Sequence, residues 1–166
     1  MVSSGAFDQK YVKDLTNRRL NRLPDAERAQ FQAALAGLND PYARDKDALL
    51  AQLGRLVSLA DTYAPIDKVE EADPIPVSGE IYRQVWGEAA EMRRTGVLLR
   101  SMRNLTCPVV AIHGDSDLSL AAGVSEPLEA NLTNFRLVLL ARCGHTPWRE
   151  RFARDTFYEI LLSELA

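Results

Sequence analysis

"CPVVAIHGDSDLSLAAGV", Cys107 to Val124, and "FRLVLLARCGHTPWRE", Phe135 to Glu150, decide the fold between them. Each is a short apolar run that ends in a polar loop. Val109-Val110-Ala111-Ile112 leads into His113-Gly114-Asp115-Ser116-Asp117, and Leu137-Val138-Leu139-Leu140 leads into Cys143-Gly144-His145. Apolar runs without alternation are the habit of strands buried on both faces, as in parallel sheets. The intervening "SLAAGVSEPLEANL" has helical spacing, which predicts strand–helix–strand with a right-handed crossover. Both strands then point the same way and both loops leave their C-terminal ends, the edge at which open α/β sheets carry chemistry. An Asp and a His are expected side by side at one rim.

Working back from this unit, the chain from Gln9 to about Arg103 reads as helical. Pro24 suits a first helical turn, and Ala26, Phe31, Ala34, Leu35 and Leu38 follow on one side until Asn39-Asp40-Pro41 breaks the pattern. From Asp45 to Ala60 the residues Leu49, Leu50, Leu53, Leu56, Val57 and Ala60 keep the three-and-four spacing of an amphipathic helix. "APIDKVEEADPIPVSG" is a proline-bearing connector with an acidic run. Ser78 is the expected N-cap of a helix over Gly79 to Arg94, with Ile81, Tyr82, Val85, Trp86 and Ala89 facing inward. Gly96 separates it from "VLLRSMRNL". A closing helix after His145 places Phe157, Ile160, Leu161 and Leu165 on one side, with Phe152 near its edge. Tyr11, Phe31, Tyr42 and Tyr63 are candidates to line a pocket or to fill the core.

The two loops resemble the end of an α/β-hydrolase. In that family a late strand closes with a G-x-x-D turn carrying the acid, and the next closes with a G-H turn carrying the general base, often continued as P-W-x-E. Gly114 to Asp117 and Gly144-His145 match, with Pro147, Trp148 and Glu150 after them. The chemistry stands on its own terms too: a buried carboxylate fixes one imidazole tautomer and stabilises the imidazolium formed when the other nitrogen takes a proton. Asp117 stands where the family's acid stands, and Asp115 is expected to bond loop amides. The resemblance implies an α/β fold: the C-terminal part of an α/β-hydrolase sheet, of about three parallel strands, with a helical cap. Residues 1–7 would be a strand remnant, 8–73 the cap, and 74–166 the C-terminal core. Strands are expected near Val2 to Gly5, Val109 to Ile112 and Arg136 to Leu140.

One part of the family pattern is missing. The nucleophile stands in G-x-S-x-G, and none of Ser3, Ser4, Ser58, Ser78, Ser101, Ser116, Ser119, Ser125 and Ser163 has glycines at both flanking positions. "GDSDLS" is similar to the G-D-S-L block of another hydrolase family, with Ser116 as nucleophile. Here it comes late, Asp117 interrupts it, and Arg142 occupies the place of the Asp in that family's later D-x-x-H. The expected function is therefore that of a hydrolase of a small ester or amide, present as the portion bearing the acid Asp117 and the base His145. Alone, it is expected to be inactive. Two other readings stay open: a non-catalytic binding or scaffold remnant, and one half of a two-chain hydrolase.

Composition bounds the partners. Lys plus Arg is 20 against 23 acids, giving −3, with 46% apolar and 26% charged residues. That balance points away from nucleic acid and anionic membranes, and no apolar run approaches spanning length. The N-terminus lacks the pattern of a signal peptide, so a cytoplasmic location is the default expectation. Cys107 and Cys143 lack metal-ligand spacing and read as reduced thiols. Neither metal nor cofactor is expected. The expected partners are a small-molecule substrate and an N-terminal hydrolase half, or a second copy of the chain joined through an exposed sheet edge.

Overall fold

The computed structural model describes residues 1–67 and 77–166. The acidic run Glu70, Glu71 and Asp73 and the expected division between 73 and 74 lie outside the described residues.

The architecture is α/β, with seven α-helices and a two-stranded parallel sheet among the described residues. Four helices come first: α1 Leu15–Arg22, α2 Asp25–Asn39, α3 Lys46–Asp61 and α4 Gly79–Arg94. The short α5 Val97–Met102 leads to β1 Val109–Gly114, then α6 Ala122–Glu129, β2 Phe135–Leu140 and α7 Arg154–Leu165. The strands pair in parallel from Val109 opposite Phe135 to Gly114 opposite Leu140. Their loops therefore leave at one rim.

Local chemistry accounts for the element ends. The Asp45 carboxylate accepts the Ala48 N–H at 2.9 Å and starts α3 as an N-cap. Ser78 does the same for α4 by accepting from Ile81. At the close of α2, the Asp40 carboxylate accepts the Tyr42 amide at 2.9 Å and turns the chain. Gly96 has φ 70°, the left-handed conformation that lets α4 end and α5 begin.

Three apolar clusters form the core. Side chains alternate across β1, so Ala111 joins Phe7, Val124, Leu128 and Leu132 on the α6 side, whereas Ile112 joins Leu140, Cys143, Ala153 and Phe157 on the α7 side. The helical segment builds the third cluster from Leu23, Phe31, Ala34, Leu53, Leu56 and Ala60. Leu118, from the loop after β1, is buried in that same helical cluster. The loop carrying Asp117 is thus anchored in the helices and not only in the sheet.

Three expectations are corrected. The sheet has two strands, not three: Val2 makes a single parallel bridge to Ile112, bounded by Ile112 N–H to Met1 O and Ser3 N–H to Ile112 O, both 2.9 Å. Ser3 has φ 44°, which takes the backbone out of the extended conformation straight after that bridge. The second correction concerns α4. Ile81, Val85 and Trp86 are 63%, 56% and 52% exposed, and the expected inward face points to solvent. The helix meets the rest of the fold along another side, where Arg93 donates to the Ala6 carbonyl at 2.8 Å. Thirdly, Leu165 is exposed at the end of α7, past the reach of the sheet, although Phe157 is buried.

Leu56 is fully buried at the centre of the helical cluster. Leu56→Ala should destabilise the chain by roughly 2–5 kcal/mol through lost burial and the cavity left behind. Ile81→Ala should change stability by no more than about 0.5 kcal/mol, as at other exposed positions. Urea unfolding of the two variants measures both values.

Candidate functional site

Asp117 and His145 meet at the rim where β1 and β2 end. The Asp117 Oδ2 accepts from His145 Nδ1 at 2.8 Å, and Oδ1 accepts from the Ser119 amide at 2.8 Å. The Asp117 side chain is fully buried, while that of His145 is about a third exposed at 36%. Since a carboxylate accepts, Nδ1 carries the proton, and the neutral ring presents an unprotonated Nε2. The hydrogen bond to Asp117 raises the His145 pKa above its ordinary 6.5. Burial lowers it, the Asp61 charge raises it, and Arg19 lowers it.

Close approach of the two loops depends on two glycines. A Cβ on Gly114 would collide with the Cys143 and Gly144 carbonyls, and one on Gly144 would lie 2.6 Å from Glu150 Oε1 and 2.8 Å from the Tyr63 nitrogen. Between them, Arg142 adopts φ 52° to turn the chain out of β2, and its guanidinium stacks over the Phe152 ring at 4.2 Å. Asp115 bonds the loop: its Oδ1 accepts from the Cys143 amide at 3.3 Å and from the Ser116 hydroxyl at 2.9 Å. Burial works against its charge, but the Ser116 hydroxyl and the Arg142 and Cys143 amides outweigh it and lower its carboxyl pKa.

The helices reach both loops. Arg18 Nε donates to Leu118 O at 2.8 Å and Arg22 to Ser116 O at 2.9 Å, so α1 grips the carbonyls on either side of Asp117. Arg19 forms a two-pronged ion pair with the buried Asp61, with Nη2 to Oδ2 at 2.6 Å. The Asp61 carbonyl in turn accepts the His145 amide at 2.8 Å. A hollow of about 70 Å³ lies beside the imidazole, lined by Val57, Ser58, Asp61, Thr62, Pro65, His145, Thr146 and Arg149. That is room for a water or two.

Other expected participants fall elsewhere. Ser116 donates to Asp115 and not to a histidine. Phe31 is in the helical core, Tyr42 and Tyr63 are exposed, and Tyr11 donates to Glu126, so none of the four lines the hollow. Cys143 is buried, which pushes its thiol up to about 12, whereas Cys107 is exposed. Among the described residues no three His, Cys, Asp or Glu side chains converge as metal ligands, and no helix is long and apolar enough to cross a membrane.

The sequence reading missed His113. It is buried at the end of β1, with Nε2 2.7 Å from the Ser119 carbonyl and 3.3 Å from Asp117 Oδ2. A carbonyl only accepts, so this Nε2 donates to Ser119, and the buried ring packs beside the acid without supplying it a proton. The spacing of His113 and Asp117 in "HGDSD" was legible, but nothing in it signalled that the loop folds back on the ring.

No family model matches the chain. A stretch of 55 residues is 34% identical to the pimeloyl-[acyl-carrier protein] methyl ester esterase of Nitrosomonas europaea. It covers 33% of this chain and 22% of that enzyme. The two-stranded sheet with its helices is compatible with part of an α/β-hydrolase fold, and the likeness to an esterase hints at hydrolase function.

The raised pKa has a sign for stability. Protonated His145 favours the folded chain; that contribution is complete below the unfolded value and is lost as the pH rises through the folded value. The stability gap between wild type and His145→Gln should therefore be widest below pH 6.5 and narrow above it. Urea unfolding across a pH series measures this, and a flat gap would refute it.

Proposed function

We propose that this chain supplies the acid and base of a serine hydrolase of the α/β-hydrolase type, acting on a small ester or amide. The observation that carries the reading is the 2.8 Å bond between Asp117 and His145 Nδ1 at the C-terminal ends of adjacent parallel strands. The partial likeness to an esterase supports it. In this reading 1–7 is a strand remnant of the hydrolase core, 8–73 the helical cap and 74–166 the C-terminal core.

The mechanism follows from the tautomer. With Nδ1–H held by Asp117, Nε2 accepts the proton of an attacking hydroxyl, and Asp117 stabilises the imidazolium. The same proton then passes to the leaving oxygen or nitrogen as the acyl group is transferred, and a water repeats the cycle. The hydroxyl comes from a segment bearing G-x-S-x-G, because Ser116 is engaged with Asp115. Asp117 and His145 alone orient and transfer a proton but attack nothing.

Two exposed features support an N-terminal hydrolase half as the partner. The Ile112 amide, on the side of β1 away from β2, is taken by Met1, so residues 1–3 form that edge of the sheet, with Met1 exposed. Separately, α4 presents Ile81, Tyr82, Val85 and Trp86 to solvent, and apolar patches of this kind mark interaction surfaces. Self-association through the same edge is the competing arrangement, and light scattering over a concentration series separates the two.

On activated esters the chain alone should show no hydrolysis above a His145→Ala control. Joined to or mixed with a half that bears G-x-S-x-G, it should turn over substrate, and Asp117→Asn should lower kcat by about 10⁴-fold. Turnover by the single chain that vanished in Ser116→Ala would overturn the reading.

A further inference from the structure

We propose that Glu150 is a positioning residue for His145, locking the base loop to the segment after α3 so that the imidazole meets Asp117; this rests on the acid–base reading above. Glu150 is fully buried, and its carboxylate accepts three backbone N–H groups. Oε1 takes those of Gly144 at 2.9 Å and Tyr63 at 2.8 Å, and Oε2 takes that of Ala64 at 2.7 Å. One donor belongs to the base loop and two belong to the chain leaving α3.

The surrounding bonds make this a closed clasp. The His145 amide donates to Asp61 O, two residues before Tyr63. Ile66 N–H donates to Arg149 O at 2.9 Å and Arg151 N–H to Ala64 O at 2.8 Å, forming the antiparallel bridge of Pro65 with Glu150. The His145 amide is thus taken by that segment directly and the Gly144 amide by Glu150, which ties the segment to the loop. A buried carboxylate is costly unless it is hydrogen-bonded, and an apolar residue of similar size would serve packing alone. What the carboxylate adds is geometry: without it the Gly144, Tyr63 and Ala64 amides lose their partner, and the loop keeps only its backbone bonds to hold the imidazole ring at the distance Asp117 requires. The charged and titratable groups facing His145 are Asp117, Asp61 with its partner Arg19, and Arg149 across the hollow.

The test is NMR of the full chain with ¹⁵N-labelled histidine, in which only His113 and His145 give ring signals. Wild type should show His145 as the Nδ1–H tautomer with a titration midpoint above 6.5. Asp117→Asn should bring the midpoint down toward 6.5 and erode that tautomer preference. Glu150→Gln, which keeps the shape but turns a donor toward a backbone N–H, should move both readouts the same way by a smaller amount, and Glu150→Ala by more. If Glu150→Ala does not fold, the isosteric Glu150→Gln decides alone. Variants that melt earlier yet keep the wild-type His145 midpoint and tautomer would overturn the positioning role and leave Glu150 a structural residue. An unmoved midpoint in Asp117→Asn would instead overturn the acid–base reading itself.

Discussion

Parallel pairing of β1 with β2, in a register that sets Gly114 opposite Leu140, obliges the two following loops to leave the sheet at the same rim. An antiparallel pair would have sent them to opposite ends. The crossover through α6 makes the parallel arrangement possible, and the fully buried Val124 and Leu128 hold that helix against one face of the sheet. The opposite face is covered by α7 through Phe157. Everything at the site, from the 2.8 Å bond of Asp117 with His145 to the close contact at Gly114, presumes this geometry.

Buried charge is the second organising constraint. Asp117, Asp61 and Glu150 are all buried, and each is surrounded by donors: the His145 ring nitrogen and an amide, a guanidinium, and three amides respectively. Removing a partner from such a group costs more than the bond itself is worth, since the orphan stays desolvated. The three carboxylates therefore act as fixed points around which the loops are arranged. Arg19 keeps Asp61 neutralised, which limits how far a second negative charge beside His145 can act.

The helices preceding β1 frame the site as well as flanking it. Arg18 and Arg22 hold the carbonyls around Asp117, the Asp61 carbonyl holds the His145 amide, and Leu118 fills the helical cluster. Acid and base are thus each attached twice, once to a strand and once to the helices. Displacing the helices would move both loops, so helices placed this way set the geometry of the pair in addition to bounding the hollow beside it.

Some of this was legible in the sequence alone. The unbroken apolar runs of β1 and β2, the helix between them, the three-and-four pattern of α3 and the loop positions of Asp117 and His145 all follow from local periodicity and turn chemistry, which act over a few residues. Periodicity also misled. The apolar side of α4 has the spacing of a buried face, yet Ile81, Val85 and Trp86 lie open, because amphipathicity states what a helix can bury and not whether a neighbour is there. The Val2 strand shrank to one bridge for a backbone reason, the left-handed turn at Ser3. Only the tertiary structure revealed the roles of His113, Arg18, Arg22 and Glu150. Their partners are the backbone carbonyls and amides of Ser119, Leu118, Ser116, Tyr63, Ala64 and Gly144. Every residue type carries those groups, so no side-chain pattern announces them; the chain has to fold before a buried charge can choose among them.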